Sequence, residues 1–206
     1  MNILYTHPEN PQPRLIDQAV RALQNDELIV YPNDLSYAFG LAIDAKNALE
    51  QLKRLRALDD KHQFTLLCRD LSEIATFAAV DNAQYRELKA HTPAAITFIL
   101  NATKDTPKKL AHPKKKTIGV RVCDTPIVRA LLDGLNAPLL TSSLVLAGDE
   151  LPLDDPYDIE ERLGSQVGVF IHTGVMSTHS TSVVDLTSVP ATLIRQGVAD
   201  VSALVR

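Results

Sequence analysis

The sequence predicts a single α/β domain spanning residues 1–206. Segments with apolar residues at helical spacing alternate with short β-rich runs along most of the chain, the pattern of a layered α/β or α+β architecture. A chain of 206 residues with 45% hydrophobic content is long enough to bury one sizeable core. No internal repeat and no low-complexity linker marks a domain boundary.

The segment Met1 to Pro13 is polar and proline-dotted, without the apolar stretch of a secretory signal. Leu15, Ile16, Ala19, Val20 and Leu23 form a helical stripe after Pro13, which suits a first turn because its missing N–H would be unpaired there anyway. Leu28 to Tyr31 reads as a strand. Asp44 is placed to cap a helix running to about Leu55, with Ala48, Leu52 and Leu55 at helical spacing. After a charged loop, Phe64 to Cys68 reads as a strand. Helical patches at Ser72 to Phe77 and Ala83 to Ala90 precede Thr92-Pro93 and a strand from Ala95 to Leu100. Further strands are expected at Ile118 to Val122, Leu139 to Ser142, Val167 to Ile171, Ser182 to Leu186 and Ala191 to Arg195, with a helix over Ile127 to Leu135. Gly148 to Glu161 is crowded with carboxylates and holds Pro152 and Pro156, which predicts an exposed acidic loop running into a helix start.

A net charge of −4 removes the global basic excess that makes nucleic-acid binding a default, so any polyanion site has to be local. Cys68 and Cys123 are far apart and unpaired by spacing, which suits a reducing compartment. No run of 18 apolar residues occurs, and the expectation is a cytoplasmic protein with no membrane partner.

No glycine-rich phosphate loop, no G-x-G-x-x-G, no H-E-x-x-H and no zinc spacing is present, and no metal site is expected. What remains is a set of arginines and hydroxyls on strands. In Thr117 to Val122, alternation sets Ile118, Val120 and Val122 on one face and Thr117, Gly119 and Arg121 on the other. Likewise Thr97 opposes Ile96 and Phe98, and Leu193 and Arg195 oppose Thr192 and Ile194. A strand arginine must be paired or wet, so Arg121 and Arg195 either line one cavity or discourage association at sheet edges. Thr141-Ser142-Ser143 places three hydroxyls at a strand end, where open α/β sheets bind ligands and where turns also form. Lys53-Arg54-Leu55-Arg56, with Lys61 beyond, closes a helix and complements its dipole without needing a ligand. Lys114, Lys115 and Lys116 end a longer lysine run that either grips phosphates or forms a solvated loop, with no aromatic residue interleaved for stacking.

Taken in order, these pieces resemble the YrdC-like superfamily, which includes the threonylcarbamoyl-AMP synthases. The similarity spans about Asp26 to Asp200. Tyr31-Pro32-Asn33-Asp34 through Gly40 is similar to Y-P-T-[ED]-x-x-Y-G-L-G, and Arg54-Leu55-Arg56 to K-x-R. Thr92 to Phe98 is similar to P-G-P-x-T-F, Gly119 to Val122 to x-V-R-[VM], and Leu140 to Ser143 to the S-T-S turn. Thr181 to Asp185 and Ile194 to Gly197 are similar to the closing S-T-V-V-D and [LI]-R-x-G. Where the synthases carry threonine, lysine, proline and asparagine, this chain has Asn33, Arg54, Ala57 and Val145, which makes it resemble the YciO-like branch most.

The resemblance implies a twisted, open, mixed sheet flanked by helices and bearing a basic concave cavity for ATP with Mg2+ as substrate, L-threonine and bicarbonate. It implies nucleotide contacts from Arg54, Arg56, Thr97, Thr141, Ser143 and Arg195, and places Asn33, Arg121 and Ser182 near the amino acid. Guanidinium forks match phosphate and carboxylate geometry, which gives the assignment physical sense. Three functions stay open: a nucleotide-binding enzyme with weak or altered threonylcarbamoyl-AMP synthase activity, a module that binds double-stranded RNA or tRNA without turnover, and, third, a retired enzyme kept as a partner in a complex, which the acidic Asp149 to Glu161 segment would serve. Lys53, Lys61, Lys114, Lys115 and Lys116 would serve the second.

Overall fold

The computed structural model describes residues 1–205. In chain order it forms β1 (Asn2–Tyr5), α1 (Pro13–Gln24), β2 (Ile29–Pro32), β3 (Tyr37–Ala42), α2 (Asn47–Arg56), β4 (Thr65–Cys68), α3 (Leu71–Phe77) and β5 (Ala78–Ala79). Then follow α4 (Asn82–His91), β6 (Ile96–Ala102), β7 (Thr117–Val122), α5 (Pro126–Leu135), β8 (Leu139–Ser143), α6 (Pro156–Leu163), β9 (Val169–His172), β10 (Ser182–Asp185) and β11 (Thr192–Arg195). One mixed sheet collects the strands in the order β1-β9-β2-β3-β8-β4-β7-β6-β10-β11, with β5 pairing beside β6. The parallel pairs β1–β9, β2–β9, β4–β7 and β6–β10 are set among antiparallel ones.

Period-2 alternation sorts side chains into two cores. Val30, Phe39, Leu66, Phe98, Val120, Leu140 and Phe170 face a core roofed by α2, α3, α4 and α6. Ile29, Tyr31, Ala38, Leu67 and Leu139 face the other core, under α1 and α5. Those two helices approach so closely that a Cβ on Gly134 would lie 2.8 Å from Val20 Cγ2. Cys68 and Cys123 are free thiols buried in different cores, and burial pushes the Cys123 thiol up to about 11.

Besides the two-residue strand β5, three elements differ from the sequence expectation. β3 is an additional central strand: all six of its residues are buried because both faces are covered, which erases the alternation that would have marked it. β1 is a short edge strand in parallel register with β9, with only Leu4 buried. The cap of α2 is also reassigned. The residue before its first turn is Lys46, and the carboxylate that accepts from the amides of Lys46, Asn47 and Ala48, at 3.0 to 3.2 Å, belongs to Asp26 rather than Asp44. Asp26 sits at φ 61° in the α1–β2 turn, a left-handed conformation that aspartate tolerates better than most residues. No helix among the described residues is long and apolar enough to cross a membrane.

Candidate functional site

Helices α1 and α5 roof only part of their sheet face. Past their edge, the same strand faces turn from apolar to polar. β8 goes from buried Leu139 to Thr141 and Ser143, and β4 from Leu67 back to Thr65. On β7, Arg121 lies two residues before the buried Cys123. The uncovered region is a cavity of about 470 Å³.

Of the residues the sequence singled out, Asn33, Arg56, Thr97, Arg121, Thr141, Ser143 and Arg195 line this one cavity. They come from six places along the chain, from the turn after β2 to β11, with Thr141 and Ser143 both on β8. Arg54 is exposed on α2 and lies outside the lining, as do Lys53, Lys61, Lys114, Lys115 and Lys116. Lys53 pairs with Glu50 and Asp60 at 3.5 and 3.9 Å, and Lys109, from the same lysine run, donates to the carbonyls of Asp44 and Ala45. Ser182 is fully buried beneath the cavity wall; its hydroxyl donates to Ala199 O at 2.7 Å and accepts from Gly197 N at 2.9 Å. The two closing sequence motifs therefore bind each other. Gly197 is required there, since a Cβ would lie 2.3 Å from Ser180 O.

The three arginines of the cavity differ in their partners. Arg121 is 4% exposed and its Nη2 donates to both carboxylate oxygens of Asp34, at 2.5 and 2.6 Å. Arg56 donates from Nε to Val145 O at 3.1 Å and from Nη1 to Ser142 Oγ. Arg195 donates from Nε and Nη2 to Thr181 O, at 3.1 and 2.9 Å, and from Nη2 to Thr181 Oγ1 at 3.0 Å. Neither Arg56 nor Arg195 has a carboxylate partner among the described residues. Burial, and then the nearby charge of Arg195, push Arg56 below its usual range. Two guanidiniums thus share a cavity with no counter-charge between them, an arrangement an anion would relieve.

The hydroxyls are preorganised. Thr141 Oγ1 lies 2.6 Å from the buried Tyr31 hydroxyl, and Thr97 Oγ1 3.1 Å from Thr181 Oγ1. Asn33 Oδ1 accepts from the amides of Leu35 and Ser36, which fixes the turn after β2 and leaves its amide nitrogen as a donor. Gly119 is needed because a Cβ would meet Thr65 Oγ1 at 2.6 Å and Phe64 O at 2.9 Å.

Sequence reading missed His62, Gln63, Thr65, His179 and Ser180, which also line the cavity. They sit in loops or at the start of a strand, where no periodicity points. Thr65 was the legible one: it precedes Leu66 and Leu67 as Thr97 precedes Phe98. On β11, Ile194 and Arg195 both line the cavity, so strict alternation does not hold on that exposed edge strand.

A family model described as Sua5/YciO/YrdC, telomere recombination, matches residues 21–197. The chain is 48% identical over 197 residues to YciO of Escherichia coli (strain K12), covering 96% of each. It superposes on the crystal structure of E. coli YciO with a TM-score of 0.94, covering 99% of this chain and 100% of that one. A threonylcarbamoyl-AMP synthase of Pseudoalteromonas translucida is 27% identical over 161 residues, covering 76% of this chain and 84% of that one. The fold also matches P. abyssi Sua5 complexed with L-threonine, with a TM-score of 0.86 at 18% identity over 96% of this chain and 58% of that one. With the lining of its cavity and every strand but β1 inside the matched region, the chain belongs to the Sua5/YciO/YrdC family.

Proposed function

We propose that this protein is a nucleotide-binding enzyme of the threonylcarbamoyl-AMP synthase type. The observation that carries the reading is the pair Arg56 and Arg195, two guanidiniums without carboxylate partners facing one hydroxyl-lined cavity. ATP with Mg2+ is the proposed nucleotide substrate, with Arg56, Arg195, Thr97, Thr141 and Ser143 as its contacts. The threonylcarbamoyl-AMP synthases at 23–27% identity support the reaction class, and the L-threonine complex of the Sua5 fold supports an amino acid as co-substrate.

In the proposed reaction the threonine amine, as the free base, adds to bicarbonate and loses water to give a carbamate. A carbamate oxygen attacks the α-phosphorus of ATP, the bond from that phosphorus to the bridging oxygen breaks, and pyrophosphate leaves. The product is a mixed anhydride of the carbamate and AMP. The cations stabilise charge as it moves onto the leaving phosphates. Asn33 Nδ2 is the free donor nearest in kind to what a threonine carboxylate or hydroxyl needs. Arg121, its charge balanced by Asp34, shapes that end of the cavity rather than adding a net charge.

Pyrophosphate release assayed with ATP and magnesium tests this directly. Release that requires both L-threonine and bicarbonate supports the reading. ATP binding without release under any of these conditions restricts it to nucleotide binding. Absence of both overturns it in favour of double-stranded RNA or tRNA. That ligand would use the exposed Lys61, Lys114, Lys115 and Lys116 outside the cavity and would show a steep salt dependence.

A further inference from the structure

His62 is a cavity side chain that the proposed chemistry leaves unused. It lies in the loop between α2 and β4, where its amide donates to Asp59 O at 3.2 Å. Its ring packs edge-on against Phe64, with centroids 5.0 Å apart and planes at 76°. Neither ring nitrogen has a hydrogen-bond partner among the described residues, whereas Thr97, Thr141, Ser142 and Asn33 are all engaged with protein groups. An imidazole held by its carbon edge, with its nitrogens unspent beside a guanidinium, is arranged as a ligand contact.

Resting on the nucleotide reading above, we propose that His62 is a third anion-contacting side chain of this cavity. It meets the phosphate chain gathered by Arg56 and Arg195 and binds it as an imidazolium. The charged groups around it set the sign. Arg56, at the end of α2, opposes protonation, and Asp59 in the same loop weakly favours it. Across the cavity stand Arg195 and His179, and the Arg121–Asp34 pair, which is neutral as a unit. Burial, with Arg56, holds the empty-state imidazole down to about 4, so His62 enters as a neutral ring. A phosphate placed against Arg56 cancels the charge that opposed protonation and adds one that favours it, so the ring takes up a proton as the ligand enters. Ligand affinity therefore rises on acidification, within the window between about 4 and the higher value of the complex.

Isothermal titration of the full chain with ATP and magnesium at pH 5.5, in two buffers of different ionisation enthalpy, counts the protons moved. Titrating ATP phosphates contribute equally to wild type and His62→Gln, so the difference isolates His62. The expected result is about half a proton or more of extra uptake by the wild type. A histidine C–H resonance in wild type that titrates at higher pH with ATP than without it, and is missing from His62→Gln, gives the same answer without relying on the variant's stability. Equal proton numbers with ATP bound in both proteins, or a His62 resonance that ignores ATP, overturn the inference and leave nucleotide binding intact. Absence of any binding heat overturns both, and is distinguishable because nothing binds at all.

Discussion

At the scale of single residues, the cavity separates two kinds of arginine. Arg121 is paired with Asp34 inside the protein, whereas Arg56 is held only by a carbonyl and a hydroxyl. Replacing Arg56 by alanine should weaken ATP binding about tenfold to a hundredfold, the value of a charge-assisted contact, with little loss of folding stability. Equilibrium dialysis and a urea melt on the same variant check both halves. Asp34→Ala should behave the other way. It leaves a guanidinium whose side chain is 5% exposed without a counter-charge, held only by the Ala94 carbonyl, and should cost about 2–3 kcal/mol in a urea melt. Full burial of both partners would cost more, but the Asp34 side chain keeps 29% exposure. The paired arginine could not be told from the unpaired one in the sequence, because Asp34 lies 87 positions from Arg121 and next to the motif read as ligand-binding.

At the scale of elements, what the sequence could show depended on how each was covered. β6 and β7 have one apolar face and one polar face, and their alternation put Thr97 and Arg121 on the correct side. β3 is buried on both faces and left no such record, and β1 is too short and exposed to leave one. The α2 cap was illegible because its carboxylate comes from Asp26, about twenty residues upstream. The contact of α1 with α5 is a packing detail no pattern encodes, yet it is testable. Gly134→Leu should force the two helices apart against Val20 and cost about 1–3 kcal/mol, seen as a lower midpoint in thermal or urea unfolding. An unchanged midpoint would mean that the α1–α5 seam is looser than its geometry indicates.

For the whole molecule, acid should act in two stages. His62 is held neutral in the fold, to about 4 against an ordinary 6.5, so the unfolded chain binds a proton the folded one refuses. Stability from this group is complete above pH 6.5 and declines as pH falls towards 4. Asp26 responds later. Burial is the largest single influence and raises its carboxyl, but the three amides of α2 and the charge of Lys109 together outweigh it and hold it below 3.8. Its contribution is present above its unfolded value and is lost as pH falls through the lower folded one. Urea melts across pH 3 to 8 should show the first stage abolished in His62→Gln and the second in Asp26→Asn, each leaving the other in place.

The outermost strand of the sheet bears on how such a cavity would move. β11 has four residues, all exposed, and pairs on one side only, with β10, across an irregular register. Half of the unpaired charge rides on it as Arg195, while the other half, Arg56, ends a helix packed on the core. An anion bridging the two would tether a fraying margin to a rigid interior. Amide hydrogen exchange at Thr192 to Arg195 should then be fast in the free protein and slow severalfold or more with ATP, while exchange in β3 and β8 stays unchanged.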